Sequence, residues 1–135
     1  MIVTPIPTEE LDEHWPALTH FLADAITFSC GDLTLEGIKQ RAYDGDELIV
    51  AVFDRDKIVA CCTLALIDFE TGKKVLQMVV AGGSQMGVWR DEGFNVIRNI
   101  AKAYGCTHIR GCGRPGWERA LPVLKKIRTV YECEV

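Results

Sequence analysis

The sequence predicts a mixed α/β fold: a central mixed sheet with helices on both faces. Three observations lead there. Apolar residues recur at helical spacing in four segments and run or alternate in six strand-like ones, in the order β-α-α-β-β-β-α-β-α-β. The connectors "DRDK" and "DFETGK" are short enough to make the middle strands an antiparallel meander. A helix-length segment then separates the meander from the next strand, which favours a parallel crossover. At 135 residues the chain reads as one domain, 1–135, able to bury a core without disulfides.

The elements follow in order. "IVTPI" is a short first strand. Thr8 is placed to cap the first helix, and Glu9, Glu10, Asp12 and Glu13 suit the positive end of its dipole. Leu11, Trp15, Leu18, Leu22, Ala25 and Ile26 form its apolar stripe. Pro16 lies inside: either the helix starts near Asp12 with Pro16 in an early turn, or it kinks there. "FSCGD" ends it, and Thr34 caps a shorter helix with Leu35, Ile38 and Ala42 inward. Strands follow over 48–53, 58–67 and 74–81. "VVAGGSQMGVWRDEGF" (79–94) then turns from strand to helix, with Gly82 and Gly83 as the corner and Ser84 as the cap. That helix runs from Met86 or Val88 to Tyr104, with Trp89, Gly93, Ile97, Ile100 and Tyr104 on one face and Gly105 as its C-cap. "HIRGCG" (108–113) is a strand parallel to 74–81. A helix over 116–126 turns Trp117, Leu121 and Leu124 inward, and "TVYECEV" is a last alternating strand.

Composition bounds the function. The chain is 48% hydrophobic and 25% charged, and no apolar run reaches membrane-spanning length. Its first residues are acidic and lack a signal-peptide pattern, so a cytoplasmic protein is expected. Six cysteines, at 30, 61, 62, 106, 112 and 133, show no C-x-x-C and no zinc spacing. They read as reduced thiols, and no metal is expected. Residues 1–70 carry 14 acidic and 4 basic side chains, whereas 98–128 carry 8 basic and one acidic. A basic half suits an anionic ligand. Few aromatics interleave the basic residues, so nucleic acid is not the expected partner. His14, His20 and His108 have no partner at ligand spacing, and the three tryptophans read as core.

The element order, with "HWPALTHFLADAI", "DELIVAVFDRDKIVACCTL", "VVAGGSQMGVW", "IAKAYGC" and "GRPGWERAL", resembles the GNAT superfamily of acyl-CoA N-acyltransferases. Within it the chain is similar to short GNAT-like proteins of tailed phages and prophages. The resemblance implies acetyl-CoA as cofactor and a strand that splays from its parallel neighbour. The pantetheine arm would pair with Val79, Val80 and Ala81. The pyrophosphate would rest on amides of Gly82, Gly83, Ser84, Gln85 and Gly87, with Arg114 reaching across the gap.

The chain departs from the family's R/Q-x-x-G-x-G/A signature. Gln85 matches the first position, but Val88 and Arg90 stand where small residues belong. No Lys or Arg lies between 75 and 89, and Val88 and Trp89 are expected to crowd the first turn. The helix over 116–126 lacks the family's tyrosine acid, so no catalytic residue is assigned. Two readings stay open. One is an acetyl-CoA-dependent transfer to an amine on a small molecule or protein. The other is a non-catalytic module that binds a phage or host protein or assembles in a virion, placed in the host cytoplasm or the particle. A homodimer is compatible with either.

Overall fold

The computed structural model describes residues 1–113 and 116–135. Its elements are β1 (Ile2–Pro5), α1 (Leu11–Ala25), α2 (Leu35–Tyr43), β2 (Glu47–Asp54), β3 (Lys57–Asp68), β4 (Lys74–Gly83), α3 (Met86–Ala103), β5 (His108–Gly111) and α4 (Trp117–Ala120). The five strands form one sheet in the order β1-β2-β3-β4-β5. β1 to β4 pair antiparallel, and β4 pairs parallel with β5 from Val75↔His108 to Met78↔Gly111. The meander and the crossover are therefore as the connector lengths require.

Helices cover both faces. Leu18 and Leu22 of α1 and Ile38 and Ala42 of α2 bury against Ile49, Ala51, Cys61 and Val80 on one face. Ile97 and Ala101 of α3 bury against Val50, Leu64, Leu76 and Met78 on the other. Thr34 caps α2 by accepting from the Gly37 amide at 3.0 Å. Gly105, at φ +72°, follows the last turn of α3. Pro16 sits within α1, which starts at Leu11 behind a 3-10 turn over Thr8–Glu10.

Four local expectations change. Thr8 makes no capping bond; the chain enters α1 through the 3-10 turn, with extended Pro7 before it. Gly82 and Gly83 are not the corner but the last residues of β4, paired with Cys61 and Ala60. The fourth helix is only four residues long, and the chain turns irregular at Leu121, just before Pro122, whose ring cannot continue a helix. Residues 129–135 make no strand, because strand periodicity forms a strand only where an edge pairs with it.

The described cysteines are all free thiols. Neighbours on β3, Cys61 joins the α1-side cluster and Cys62 the α3-side one. Burial pushes the Cys62 thiol up to about 12 and the Cys61 thiol upward as well. Iodoacetamide at mildly alkaline pH is expected to label exposed Cys30, Cys112 and Cys133 first, and Cys61 and Cys62 only on unfolding. Both folded pKa values lie above the ordinary thiol value, so the folded chain holds protons that the unfolded chain releases. Their contribution is complete below roughly pH 8.5 and is lost as pH rises toward 12. Thermal melts across that window check the sign.

Candidate functional site

β4 is paired on both sides only over its first half. At Thr63↔Val80 and Leu64↔Met78 the register with β3 skips one residue, so Val79 is a bulge. The parallel ladder to β5 stops at Met78. Val79 to Gly83 thus present, on the β5 side, a backbone edge with no strand opposite among the described residues. That edge leads directly into α3.

The corner is Ser84–Gln85. The Ser84 amide donates to the Val59 carbonyl at 2.9 Å and its hydroxyl leans on the same oxygen, so Ser84 does not cap α3. Gln85 is the N-cap, left-handed at φ +60° and ψ +30°, and no side chain accepts from the helix amides. The Val88 amide closes back on the Gln85 carbonyl at 2.9 Å. The Met86 and Gly87 amides have no acceptor among the described residues. A left-handed residue followed by right-handed ones turns successive amides toward one side, the geometry of an anion-binding nest. The dipole of an 18-residue helix adds positive potential there.

The expected crowding is relieved. Val88 is 69% exposed and points outward. Trp89 turns back to the sheet, packing on Val52, Val59 and Ala60, while its indole N–H donates to the Ser84 carbonyl at 2.7 Å. A Cβ built on Gly87 would meet nothing within 4 Å.

Two cavities lie along α3. One is an open cleft of about 470 Å³ between α3 and residues 119–123, lined by Arg90, Asp91, Asn95 and Arg119 among others. The second is a small apolar void of about 50 Å³, lined by Cys62, Met78, Ala81, Trp89, Ile97 and Trp117 among others. Arg90, Phe94 and Leu121 line both, so a cleft that carries Arg90 and Arg119 opens beside an apolar slot that touches β4 at Met78 and Ala81. Arg90 also meets Asp91 at 3.3 Å.

The structure therefore brings Val79, Val80, Ala81, Gly82, Gly83, Ser84, Gln85 and Gly87 into one continuous strip. Arg114 lies outside the described residues. Sequence reasoning missed Arg90, although its spacing of three from Gly87 puts both on one stretch of helix surface. It also missed Glu47, a buried carboxylate opening β2, which accepts from Arg41 Nε at 2.8 Å and ties α2 to the sheet. A charged residue at the head of an apolar strand was the available signal. Asp68 and Glu70 are exposed at the hairpin end. Among the described residues no His, Cys, Asp and Glu group could hold a metal ion.

Several solved acetyltransferase structures share this architecture. The crystal structure of a probable acetyltransferase aligns over all of this chain and 98% of its own, with a TM-score of 0.75 and 12% identity. An aminoglycoside acetyltransferase from an uncultured soil metagenomic sample, in complex with sisomicin, aligns over 99% of this chain and 95% of its own, with a TM-score of 0.71 and 9% identity. The ribosomal-protein-alanine N-acetyltransferase of Brucella melitensis biovar Abortus 2308 aligns over the full length of both chains, with a TM-score of 0.68 and 8% identity. The fold is that of the GNAT acetyltransferases. At these identities the likeness concerns the fold alone. Neither a family model nor a curated protein sequence matches the chain. No described helix is long and apolar enough to cross a membrane.

Proposed function

We propose that the chain is a GNAT-type N-acyltransferase that uses acetyl-CoA and delivers the acyl group to an amine. One observation carries the reading: β4 bulges at Val79, loses its parallel neighbour after Met78, and runs into an uncapped helix whose first amides are free. A strand edge that leads into a backbone nest, with a cleft carrying Arg90 further along the same helix, suits an elongated ligand with an amide-bearing arm and an anionic end. The residues fit acetyl-CoA on that ground. Val79 to Ala81 would pair with its arm, Met86 and Gly87 would donate to its pyrophosphate, and Arg90 and Arg119 line the cleft beyond.

When bound, acetyl-CoA supplies the acyl group as an activated thioester. The chain's own contribution is positional. Unpaired amides of β4 are the donors available to polarise an acyl carbonyl, worth a few kcal/mol each when preorganised. The rest comes from holding the reactants together. No side chain is assigned as acid or base, so the acceptor amine would arrive neutral. Activity is then expected to rise with pH toward the amine's own pKa.

The test is calorimetric titration with acetyl-CoA at low salt, with wild type and Arg114→Ala, followed by thiol-release assays over a panel of amines. Micromolar binding that weakens in Arg114→Ala supports the reading. Wild-type protein that binds no acetyl-CoA at millimolar concentration rejects it. A second reading rests on residues 75–89, which hold no cation. It is a GNAT-fold binding or assembly module, and the same null titration would favour it.

A further inference from the structure

The apolar slot lies between α3 and the sheet, with Gly93 and Ile97 on the helix side and Val50, Cys62 and Met78 on the sheet side. Gly93 is buried in the helix and puts no side chain into the gap. Trp89, packed on Val52 and Ala60, walls it. Among the described residues Arg90 is the only charged one that lines the slot, and it stands where the slot meets the open cleft. Burial pushes the Cys62 thiol up to about 12, so it stays neutral and is no competing nucleophile. A cavity without polar partners holds water poorly and suits a hydrocarbon. A water-sized group needs roughly 10–15 Å³. The slot's volume of about 50 Å³ therefore takes roughly three or four methylene-sized groups. The slot touches β4 at Met78 and Ala81, on either side of Val79 and Val80, so it flanks the bulged backbone whose free amides could hold an acyl carbonyl.

We infer that the slot takes the aliphatic end of the acyl group, so that the preferred donor is a short-chain acyl-CoA longer than acetyl, with an acyl group of about four carbons. The inference rests on the acyltransferase reading above and specifies its donor. With the carbonyl on the β4 amides, an acetyl group offers the slot a single methyl, whereas a butyryl group offers a three-carbon chain that matches its room. Each methylene moved from water into an apolar slot is worth about fourfold in affinity, so butyryl-CoA gains about fifteenfold over acetyl-CoA. A chain of eight carbons exceeds the room and meets the packed side chains of the sheet and α3, which yield little. The transfer step is the same for every donor: the amine nitrogen bonds to the acyl carbon, the carbon–sulfur bond breaks, and the amine's proton ends on the CoA thiol. The slot therefore selects the donor by chain length and leaves the chemistry to the thioester.

Calorimetric titration of the full chain with CoA, acetyl-CoA, butyryl-CoA and octanoyl-CoA tests this. Affinity is expected to rise about fifteenfold from acetyl to butyryl and to fall again at octanoyl. Butyryl-CoA is also expected to show a more negative heat-capacity change than acetyl-CoA, the mark of apolar burial. Cys62→Leu fills the slot, and the ratio of butyryl-CoA to acetyl-CoA affinity is expected to fall toward one. Cys62→Ala enlarges the slot, and pentanoyl-CoA is expected to overtake butyryl-CoA. Circular dichroism verifies that each variant folds; if Cys62→Leu does not, the wild-type series and Cys62→Ala decide. Equal affinity of wild type for acetyl-CoA and butyryl-CoA overturns the inference and leaves the acyltransferase reading standing. A butyryl preference that survives in Cys62→Leu overturns the slot as its source. Wild type that binds none of the four rejects both.

Discussion

Gly83→Ala is expected to destabilise the fold by ~2–6 kcal/mol, a large part of what holds a domain of this size together. Two independent costs meet at this position. The backbone holds φ at +140°, which L side chains rarely adopt. A Cβ would also stand 2.4 Å from both Cα and Cβ of Ala60 and 2.6 Å from the Val59 carbonyl oxygen. Those atoms belong to the paired strand β3 and cannot rotate away. Gly82 is held from the other face, where a Cβ would lie 2.7 Å from the Phe21 carbonyl of α1. Gly87→Ala is the control. It adds a methyl to open space and replaces the poorer helix former, so it is expected to stabilise by up to about 1 kcal/mol. Urea denaturation of the three proteins reads the difference. An unchanged midpoint for Gly83→Ala would show that the β3–β4 corner is looser than this packing.

The contrast among these glycines marks how much of the site the sequence made legible. "VVAGGSQMGVW" announced a strand-to-helix transition, and the transition is there. It also suggested that the paired glycines shape the turn, whereas the structure uses them to seat β4 between α1 and β3. The residue that turns the chain is Gln85, whose left-handed backbone has no reliable sequence signature. The bulge at Val79 was equally hidden, because an apolar run reads the same with or without a register skip. Periodicity exposed the core stripes because burial selects side chains directly: Leu18, Leu22, Ile38 and Ile97 all lie where their spacing puts them. Trp89 shows the limit of spacing alone. Its face was predicted correctly, but its indole bond to Ser84, which anchors the corner, was not.

The end of the chain shows the same limit from the other side. Alternation in 129–135 is as regular as in β4, yet only β4 becomes a strand. Lys74 to Gly83 have β3 along their length, while 129–135 pair with no strand among the described residues. A strand is a property of two segments, so a pattern in one of them predicts competence and not occupancy.

Gly87→Asp is expected to abolish acetyl-CoA binding without harming the fold, and so to separate the site from the scaffold. A carboxylate at the second position of α3 sits where the helix dipole favours negative charge. A Cβ there meets nothing within 4 Å, so the melting temperature without ligand is expected to hold or rise. The same carboxylate would occupy the approach to the Met86 and Gly87 amides and repel a pyrophosphate there. For wild type, acetyl-CoA at a hundred times its dissociation constant is expected to add about 2.7 kcal/mol of stability. In Gly87→Asp that increment is expected to vanish. Arg90→Ala offers an intermediate case, because it removes a cation lining the cleft and leaves the nest intact. Its affinity is expected to fall about tenfold, more at low salt than at high. Unchanged affinity in Gly87→Asp would place acetyl-CoA away from the start of α3, and the uncapped amides would then need another explanation.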